Sequence, residues 1–225
     1  MNFKNKELII FDLDGTLVDS APDLALSLNL MLESIGHTTF DEDLIRSWVG
    51  NGAQTLVKRG LSGSTDINED INEVLFQKAL STFLDIYAKN LCVKTVLYQN
   101  VANTLEVLKS KGHRMVIVTN KPFDFVAPML DSLGINEIFE LHLGGDSLSK
   151  RKPDPLPLLH VCENLSIDVK NTLMIGDSKN DILAAKAAGM HSVGVSYGYN
   201  YGECISIHKP EHVVDDFADI LALLD

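Results

Sequence analysis

The chain has 225 residues, of which 45% are hydrophobic and 22% charged, so it can bury a sizeable core as one domain, with or without an insertion. Its formal net charge of −12 argues against nucleic acid or an anionic membrane surface as a partner. The first apolar stretch, Leu8–Phe11, is too short for a signal peptide or a membrane span. Three scattered cysteines without a CxxC pair favour reduced thiols, and we expect a cytoplasmic protein.

The predicted strands are apolar on both faces, which is typical of a sheet covered by helices on both sides. From about residue 96 onward, strands alternate with helices of amphipathic pattern. The sequence therefore predicts an α/β core with a doubly wound, Rossmann-like parallel sheet. Strands are predicted over 7–11, 114–118, 141–143, 172–175, 192–195 and 212–214.

Residues 18–92 interrupt this alternation, because they contain helical patterns and no convincing strand. We interpret them as an all-helical cap inserted into a core formed by 1–17 and 93–225. An insertion after the first strand would lie over the carboxyl end of that strand, where open α/β sheets bind ligands. Cap helices are predicted over 24–35, 43–48, 54–59 and 71–88.

Directly after the first strand comes the motif Asp12-Leu13-Asp14-Gly15-Thr16. Two carboxylates separated by one residue at a strand end can both approach one hard cation, and Gly15 allows a tight turn. The alternative is a solvated, aspartate-rich turn. An all-apolar strand leading into two acids, a glycine and a threonine favours the metal site.

Thr119-Asn120-Lys121 follows the strand predicted over 114–118. A hydroxyl and a backbone N–H at that position could hold phosphoryl oxygens. A common turn or helix N-cap is an equally good interpretation of Thr119 and Asn120. In the basic run further along, Pro153 and Pro155 restrict the backbone around Lys152, which favours a positioned cation over an ordinary surface lysine.

The last motif, Gly176-Asp177-Ser178-Lys179-Asn180-Asp181, begins where the strand over 172–175 ends. Asp177 can complete a metal site with Asp12 and Asp14. Asp181 lies near the start of the next helix, where a capping role is compatible with a role at the metal. These groups suit a phosphoryl group bridged to Mg²⁺, whereas no His/Cys spacing supports zinc.

With these motifs in place, the chain resembles the haloacid dehalogenase-like superfamily, in its phosphatase branch with a helical cap. The resemblance covers nearly the whole chain, and shorter stretches such as Thr119-Asn120-Lys121-Pro122 resemble bacterial phosphoglycolate phosphatases. The four motifs that carry it, in chain order, are Phe11–Ser20, Val118–Asn120, Lys152-Pro153 and Gly176–Asp181.

The resemblance implies that Asp12 attacks phosphorus and forms an aspartyl-phosphate, while Asp14 acts as general acid and base. It implies that Thr119 and backbone amides after Asp12 hold the phosphoryl oxygens and that Lys152 neutralises charge. Mg²⁺ would be held by the Asp12 carboxylate, the Asp14 main-chain carbonyl and Asp177. Asp181 would support these ligands from behind or through a water molecule.

The segment 48–53 is the candidate for substrate contact within the cap, although Trp48 is an equally good candidate for the cap's own core. The full set of expected substrate-binding residues is Gly15, Thr16, Trp48, Gly50, Asn51, Gly52, Asn120 and Lys121.

We therefore expect a Mg²⁺-dependent phosphatase that acts on a small phosphorylated metabolite, with 2-phosphoglycolate first. The alternatives are a phosphomutase and a phosphatase for sugar phosphates or nucleotides. A dehalogenase is disfavoured because it needs no metal site, and a non-catalytic signalling module because it needs no large cap. The expected assembly is a monomer or a homodimer.

Overall fold

The structure is a computed structural model that describes residues 3–225. Within that range six strands form one parallel sheet and two short strands form an antiparallel ribbon. The strands are β1 (Leu8–Phe11), β2 (Val18–Asp19), β3 (Val96–Leu97), β4 (Arg114–Val118), β5 (Leu141–Leu143), β6 (Thr172–Gly176), β7 (His191–Val195) and β8 (His212–Val214).

The α-helices divide into four that lie between β2 and β3 and five that follow β3. The first four are α1 (Ala21–Ser34), α2 (Glu42–Arg46), α3 (Ala53–Ser62) and α4 (Glu73–Lys89). The other five are α5 (Val101–Ser110), α6 (Val126–Ser132), α7 (Leu156–Leu165), α8 (Lys179–Ala188) and α9 (Ile220–Leu224). Short 3₁₀ turns occur at Phe123–Phe125, Asn136–Ile138, Val169–Asn171, Asn200–Gly202, Ile205–His208 and Phe217–Asp219.

The parallel sheet has the strand order β5-β4-β1-β6-β7-β8, which is the order of a doubly wound fold. Successive residues of β1 point into different cores: Ile9 and Phe11 belong to the apolar cluster on one face, and Leu8 and Ile10 to the cluster on the other. All four side chains are fully buried. Helices cover both faces, and this explains why the strand is apolar at every position and confirms the predicted α/β class.

The helices α1–α4 have a hydrophobic cluster of their own, which includes Trp48, Phe83 and Tyr87. They form the helical cap that the fold class predicts, and the exact boundaries 18–92 stay a prediction. The expectation that this segment contains no strand is wrong at its first two residues, because Val18 and Asp19 pair with Leu97 and Val96. A strand of two residues is too short to show any alternation in a sequence.

The chain crosses into the helical cap and back out at adjacent points. Asp23, fully buried near the start of α1, accepts hydrogen bonds from the backbone N–H groups of Val93, Lys94 and Thr95 at 2.8–3.0 Å. The Thr95 hydroxyl donates to the same carboxylate at 2.8 Å. The return crossing is thereby tied to the first cap helix.

Candidate active site

The candidate site lies where the strand order reverses, at the carboxyl ends of β1 and β6. Because β1 lies between β4 and β6, the residues that follow these three strands meet at one edge of the sheet. Asp12 follows β1, Thr119 follows β4 and Asp177 follows β6, and all three are buried. This reversal point is where doubly wound sheets bind their ligands.

Asp12 has one carboxylate oxygen engaged and the other free. Its Oδ1 accepts a hydrogen bond from the Leu13 N–H at 2.7 Å and lies 3.0 Å from Lys152 Nζ. Its Oδ2 makes no hydrogen bond with any residue in the range 3–225. Burial raises the pKa of Asp12 to about 7, although the charge of Lys152 opposes this rise. The unengaged oxygen keeps the lone pairs that a nucleophile needs.

Three buried carboxylates come together at this point, those of Asp12, Asp177 and Asp181. One oxygen of each lies within 4.8 Å of the others. Asp177 is oriented by the Thr16 hydroxyl, which donates to Oδ1 at 2.9 Å, and by the Tyr199 N–H, which donates to Oδ2 at 2.8 Å. Burial, followed by the charges of Asp181 and Asp12, raises the pKa of Asp177 to about 8.

This donor set fits a hard divalent cation. Three carboxylates that are forced together away from water repel one another, and an oxygen-seeking dication would relieve that repulsion. Close packing around Asp177 depends on glycine: a Cβ on Gly15, whose φ is +88°, would lie 2.3 Å from Asp177 Oδ2. No side chain larger than hydrogen fits at that turn.

Lys152 supplies a buried positive charge beside Asp12 and Asp181. Its Nζ lies 2.6 Å from Asp181 Oδ1 and 3.0 Å from Asp12 Oδ1, and it donates to the Val118 carbonyl at 2.6 Å. Burial lowers the pKa of Lys152, but the charges of Asp12 and Asp181 outweigh this and hold it above the ordinary value. Asp181 also accepts from the Ser178 N–H and hydroxyl, so it closes a capping box at the start of α8.

Asp14 turns away from the other three carboxylates. Its Oδ1 accepts from the Ser20 hydroxyl at 2.6 Å and from Lys121 Nζ at 3.0 Å. The expectation that the side chains of Asp12 and Asp14 converge on one cation is therefore wrong for the Asp14 carboxylate. Between them the chain leaves the strand and turns, so the two side chains point to different sides. The role implied for the Asp14 carbonyl stays a prediction.

Two residues expected to bind substrate have their polar groups engaged elsewhere. The Gly15 N–H donates to the Val18 carbonyl at 2.9 Å, and the Thr16 N–H donates to the Leu13 carbonyl at 3.3 Å. The Thr16 hydroxyl donates a hydrogen bond to Asp177. Gly15 and Thr16 shape the turn that carries Asp14 and do not line the cavity, so their contact with substrate stays a prediction.

Thr119, Asn120 and Lys121 all line a cavity between the sheet edge and the cap. The Thr119 hydroxyl accepts from the Lys121 N–H at 3.2 Å, and its own hydrogen makes no bond within residues 3–225. The Asn120 side chain donates to the Gly50 and Lys152 carbonyls, both at 3.0 Å. Asn120 therefore joins the cap to the core, while Thr119 keeps a free donor at the cavity wall.

The predictions of substrate contact for the cap segment 48–53 differ in their outcomes. Gly50 and Gly52 line the cavity, and Gly52 approaches the core so closely that a Cβ there would lie 2.7 Å from the Asn120 carbonyl oxygen. Trp48 is fully buried among the cap helices and packs against Phe40 with ring centroids 5.1 Å apart. Trp48 thus belongs to the cap's own core and does not line the cavity, and its contact with substrate stays a prediction. Asn51 is half-buried and does not line the cavity.

Two tyrosines at the site were not found from the sequence. Tyr87 lies on α4 at a spacing typical of a core aromatic, so its pattern gave no sign that its hydroxyl reaches the cavity. Tyr199 lies in a loop after β7, and its hydroxyl accepts from the N–H groups of Ser20 and Ala21 at 2.9 and 3.0 Å. Only the clustering of Tyr197, Tyr199 and Tyr201 could have drawn attention to that loop.

A family model described as haloacid dehalogenase-like hydrolase matches residues 9–195, a range that contains Asp12, Thr119, Lys152 and Asp177. The chain belongs to this family. Among curated relatives, it is 50% identical over 224 residues to a phosphoglycolate phosphatase of Colwellia psychrerythraea, with 100% of this chain and 99% of the relative covered. A phosphoglycolate phosphatase of Pasteurella multocida is 46% identical, with 97% and 98% covered.

A solved structure, described as a predicted phosphoglycolate phosphatase from Haemophilus somnus, superposes with a TM-score of 0.92. It is 42% identical in sequence, and the match covers 98% of this chain and 99% of that one. Together with the family match, these relatives make the chain a phosphatase, an enzyme that hydrolyses phosphoric monoesters. Within residues 3–225, no helix combines the length and the apolar character that crossing a membrane requires.

Proposed function

We propose that this phosphatase hydrolyses 2-phosphoglycolate to glycolate and inorganic phosphate, with Mg²⁺ as cofactor and Asp12 as the nucleophile. The observation that carries the proposal is the carboxylate of Asp12. One of its oxygens is held by Leu13 and Lys152, and the other is unengaged, in a residue that lines the cavity. A carboxylate fixed in this way needs little reorganisation before it attacks.

In the first half-reaction, Asp12 Oδ2 attacks phosphorus, the bond from phosphorus to the ester oxygen breaks, and Asp14 gives a proton to the leaving oxygen. In the second, Asp14 takes a proton from water, the water oxygen attacks phosphorus, and the bond to Asp12 breaks. Inorganic phosphate leaves and the Asp12 carboxylate is regenerated. The Thr119 hydroxyl and Lys152 stabilise the negative charge on the phosphoryl oxygens.

The residues that would hold Mg²⁺ are Asp12, Asp177 and Asp181, with the Asp14 carbonyl as the further ligand that the family resemblance implies. The cation, when bound, offsets the repulsion between the Asp12 carboxylate and the phosphoryl oxygens. Thr16 and the Tyr199 N–H keep Asp177 in orientation for this role.

The cavity in front of Asp12 is lined by residues of both the core and the cap. Apart from the Tyr87 hydroxyl, its cap wall is largely apolar and includes Leu24, Val49, Leu56 and Phe83. The hydroxyl groups of a sugar phosphate would lose their hydrogen bonds to water against such a wall, which disfavours the sugar-phosphate alternatives. We propose residues 18–92 as a cap domain that opens to admit substrate and closes over it.

The test is phosphate release from a panel of esters: 2-phosphoglycolate, 3-phosphoglycerate, glucose 1-phosphate, glucose 6-phosphate and adenosine monophosphate. Each is assayed with Mg²⁺ and with EDTA. We expect 2-phosphoglycolate to have the highest kcat/KM of the panel, and we expect no turnover in EDTA. If 2-phosphoglycolate is left intact while glucose phosphates are isomerised, the proposal fails in favour of a mutase.

The covalent step has a separate test. After an acid quench during turnover of ³²P-labelled substrate, label should remain attached to the wild-type protein and be absent from Asp12→Asn. Label that stays on the Asp12→Asn protein would assign the nucleophile to another residue.

A further inference from the structure

The cavity has one basic side chain among the described residues that line it, Lys121. Lys152 lies beside Asp12 but does not line the cavity. Lys121 is buried, with its Nζ 3.0 Å from Asp14 Oδ1 and 2.5 Å from the hydroxyl oxygen of Tyr87. An ammonium has three N–H donors, and Asp14 and Tyr87 engage two of those of Lys121, so one donor is left for an anion in the cavity.

Tyr87 approaches the same point from the cap. Its ring is 1% exposed, stacks on Phe83 and lies under the Lys121 ammonium, with Nζ 4.8 Å from the ring centroid. The hydroxyl oxygen accepts the hydrogen bond from Lys121, and the hydroxyl hydrogen makes no bond within residues 3–225. Burial raises the pKa of Tyr87 well above its ordinary value, so that hydrogen stays in place as a donor.

The two groups together offer an N–H donor from the core and an O–H donor from the cap, side by side. A carboxylate has two oxygens and accepts such a pair of bonds, and a charge-assisted bond is stronger than a neutral one. We propose that Lys121 and Tyr87 bind the second anionic group of the substrate, its carboxylate, and that Tyr87 is the cap residue that selects for it.

The position of Asp14 limits the length of such a substrate. As general acid, Asp14 must lie within about 2.6–3.2 Å of the ester oxygen that it protonates. Lys121 Nζ is 3.0 Å from the Asp14 carboxylate. The ester oxygen would be hydrogen-bonded to Asp14 and the substrate carboxylate to Lys121, which is the neighbour of Asp14. This spacing suits a carboxylate one carbon away from the ester oxygen. The inference rests on the proposed function and adds the residues that recognise the acid.

The test compares 2-phosphoglycolate with ethyl phosphate, which is of similar size and lacks the carboxylate. The measured quantity is the ratio of their kcat/KM values in the Mg²⁺-loaded enzyme. Tyr87→Phe removes only the hydroxyl. Because a lost hydrogen bond to a charged group is worth ~10- to 100-fold, we expect the ratio to fall by that factor. The loss should appear mainly as weaker binding of 2-phosphoglycolate, with little change in its kcat.

The matched control is Tyr98→Phe, which removes a hydroxyl from a half-buried tyrosine that does not line the cavity. Its ratio should equal that of the wild type. Lys121→Met should lower the ratio too, and the double variant should lose less than the product of the two single effects, since both residues serve one carboxylate.

Two outcomes separate this inference from the proposed function. If the wild-type enzyme does not prefer 2-phosphoglycolate to ethyl phosphate, the proposed substrate itself is wrong. If the wild type shows the preference and Tyr87→Phe retains it, or loses activity equally on both esters, the substrate stands and the role of Tyr87 is overturned.

Discussion

The crowded carboxylates predict an unusual pH dependence for the metal-free protein. Burial raises the pKa of Asp177 from 3.8 to about 8 and that of Asp12 to about 7. An unfolded chain releases these protons near the ordinary value, so between about pH 4 and pH 8 the folded state binds more protons. The stabilisation that protonation provides is complete below the pKa that the carboxyl group has in the unfolded chain. It is lost as the pH rises through the pKa that the same group has in the folded chain. Stability should therefore fall across this window.

The size of the effect follows from one titrating group. A difference of one bound proton changes the free energy of unfolding by about 1.4 kcal/mol per pH unit, so Asp177 alone contributes on the order of 3 kcal/mol between pH 5 and pH 7. Asp177→Asn keeps the size of the side chain and removes this titration. In EDTA, the variant should gain roughly that amount relative to the wild type over the same interval, because titrating groups far from this carboxylate cluster cancel in the difference.

Urea unfolding at pH 5, 6 and 7 provides the measurement, with EDTA in one series and saturating Mg²⁺ in the other. The Mg²⁺ series is the control, since a bound dication offsets the repulsion and should remove the pH-dependent disadvantage of the wild type. A difference between variant and wild type that stays constant with pH in EDTA would refute the reasoning.

Three further substitutions have defined outcomes. Asp12→Asn should abolish phosphate release while the circular dichroism spectrum stays native, and appreciable residual turnover would reject the nucleophile. Asp23→Ala leaves several backbone donors unpaired where the chain returns from the cap, so urea unfolding should show a loss on the order of 3 kcal/mol, and an unchanged midpoint would mean that water replaces the carboxylate. Tyr199→Phe leaves the Ser20 N–H without its acceptor and the Ala21 N–H with only the 3.3 Å bond to Asp19, so it should cost about 1–3 kcal/mol in the same assay. An unchanged midpoint would mean that this loop does not hold the cap.

The strands that carry the candidate site could be predicted from the sequence because each combines two independent signals. β1 is apolar at every position and is followed directly by Asp12, and β6 is followed in the same way by Asp177. Parallel strands present their carboxyl ends at one edge, so two aspartates far apart in the chain were expected to meet. The structure brings them together with Lys152.

The remaining errors concern side-chain direction. The spacing of Asp12 and Asp14 says that both leave the same turn, but the turn itself decides that Asp14 faces Lys121. Trp48 and Tyr87 are both buried aromatics of the cap, and only their orientation makes one a core residue and the other a cavity residue. Hydrophobic patterning reports burial and not the direction in which a hydroxyl points.

The pairing of Val18 and Asp19 with Leu97 and Val96 has an evolutionary consequence. The ribbon brings the two ends of the inserted segment side by side. The parallel sheet therefore places no constraint on the length or the shape of the segment between those ends. A different insertion could be grafted onto the same two strands without moving Asp12 or its partners. The ribbon thus separates the length of the cap segment from the position of the sheet residues around Asp12.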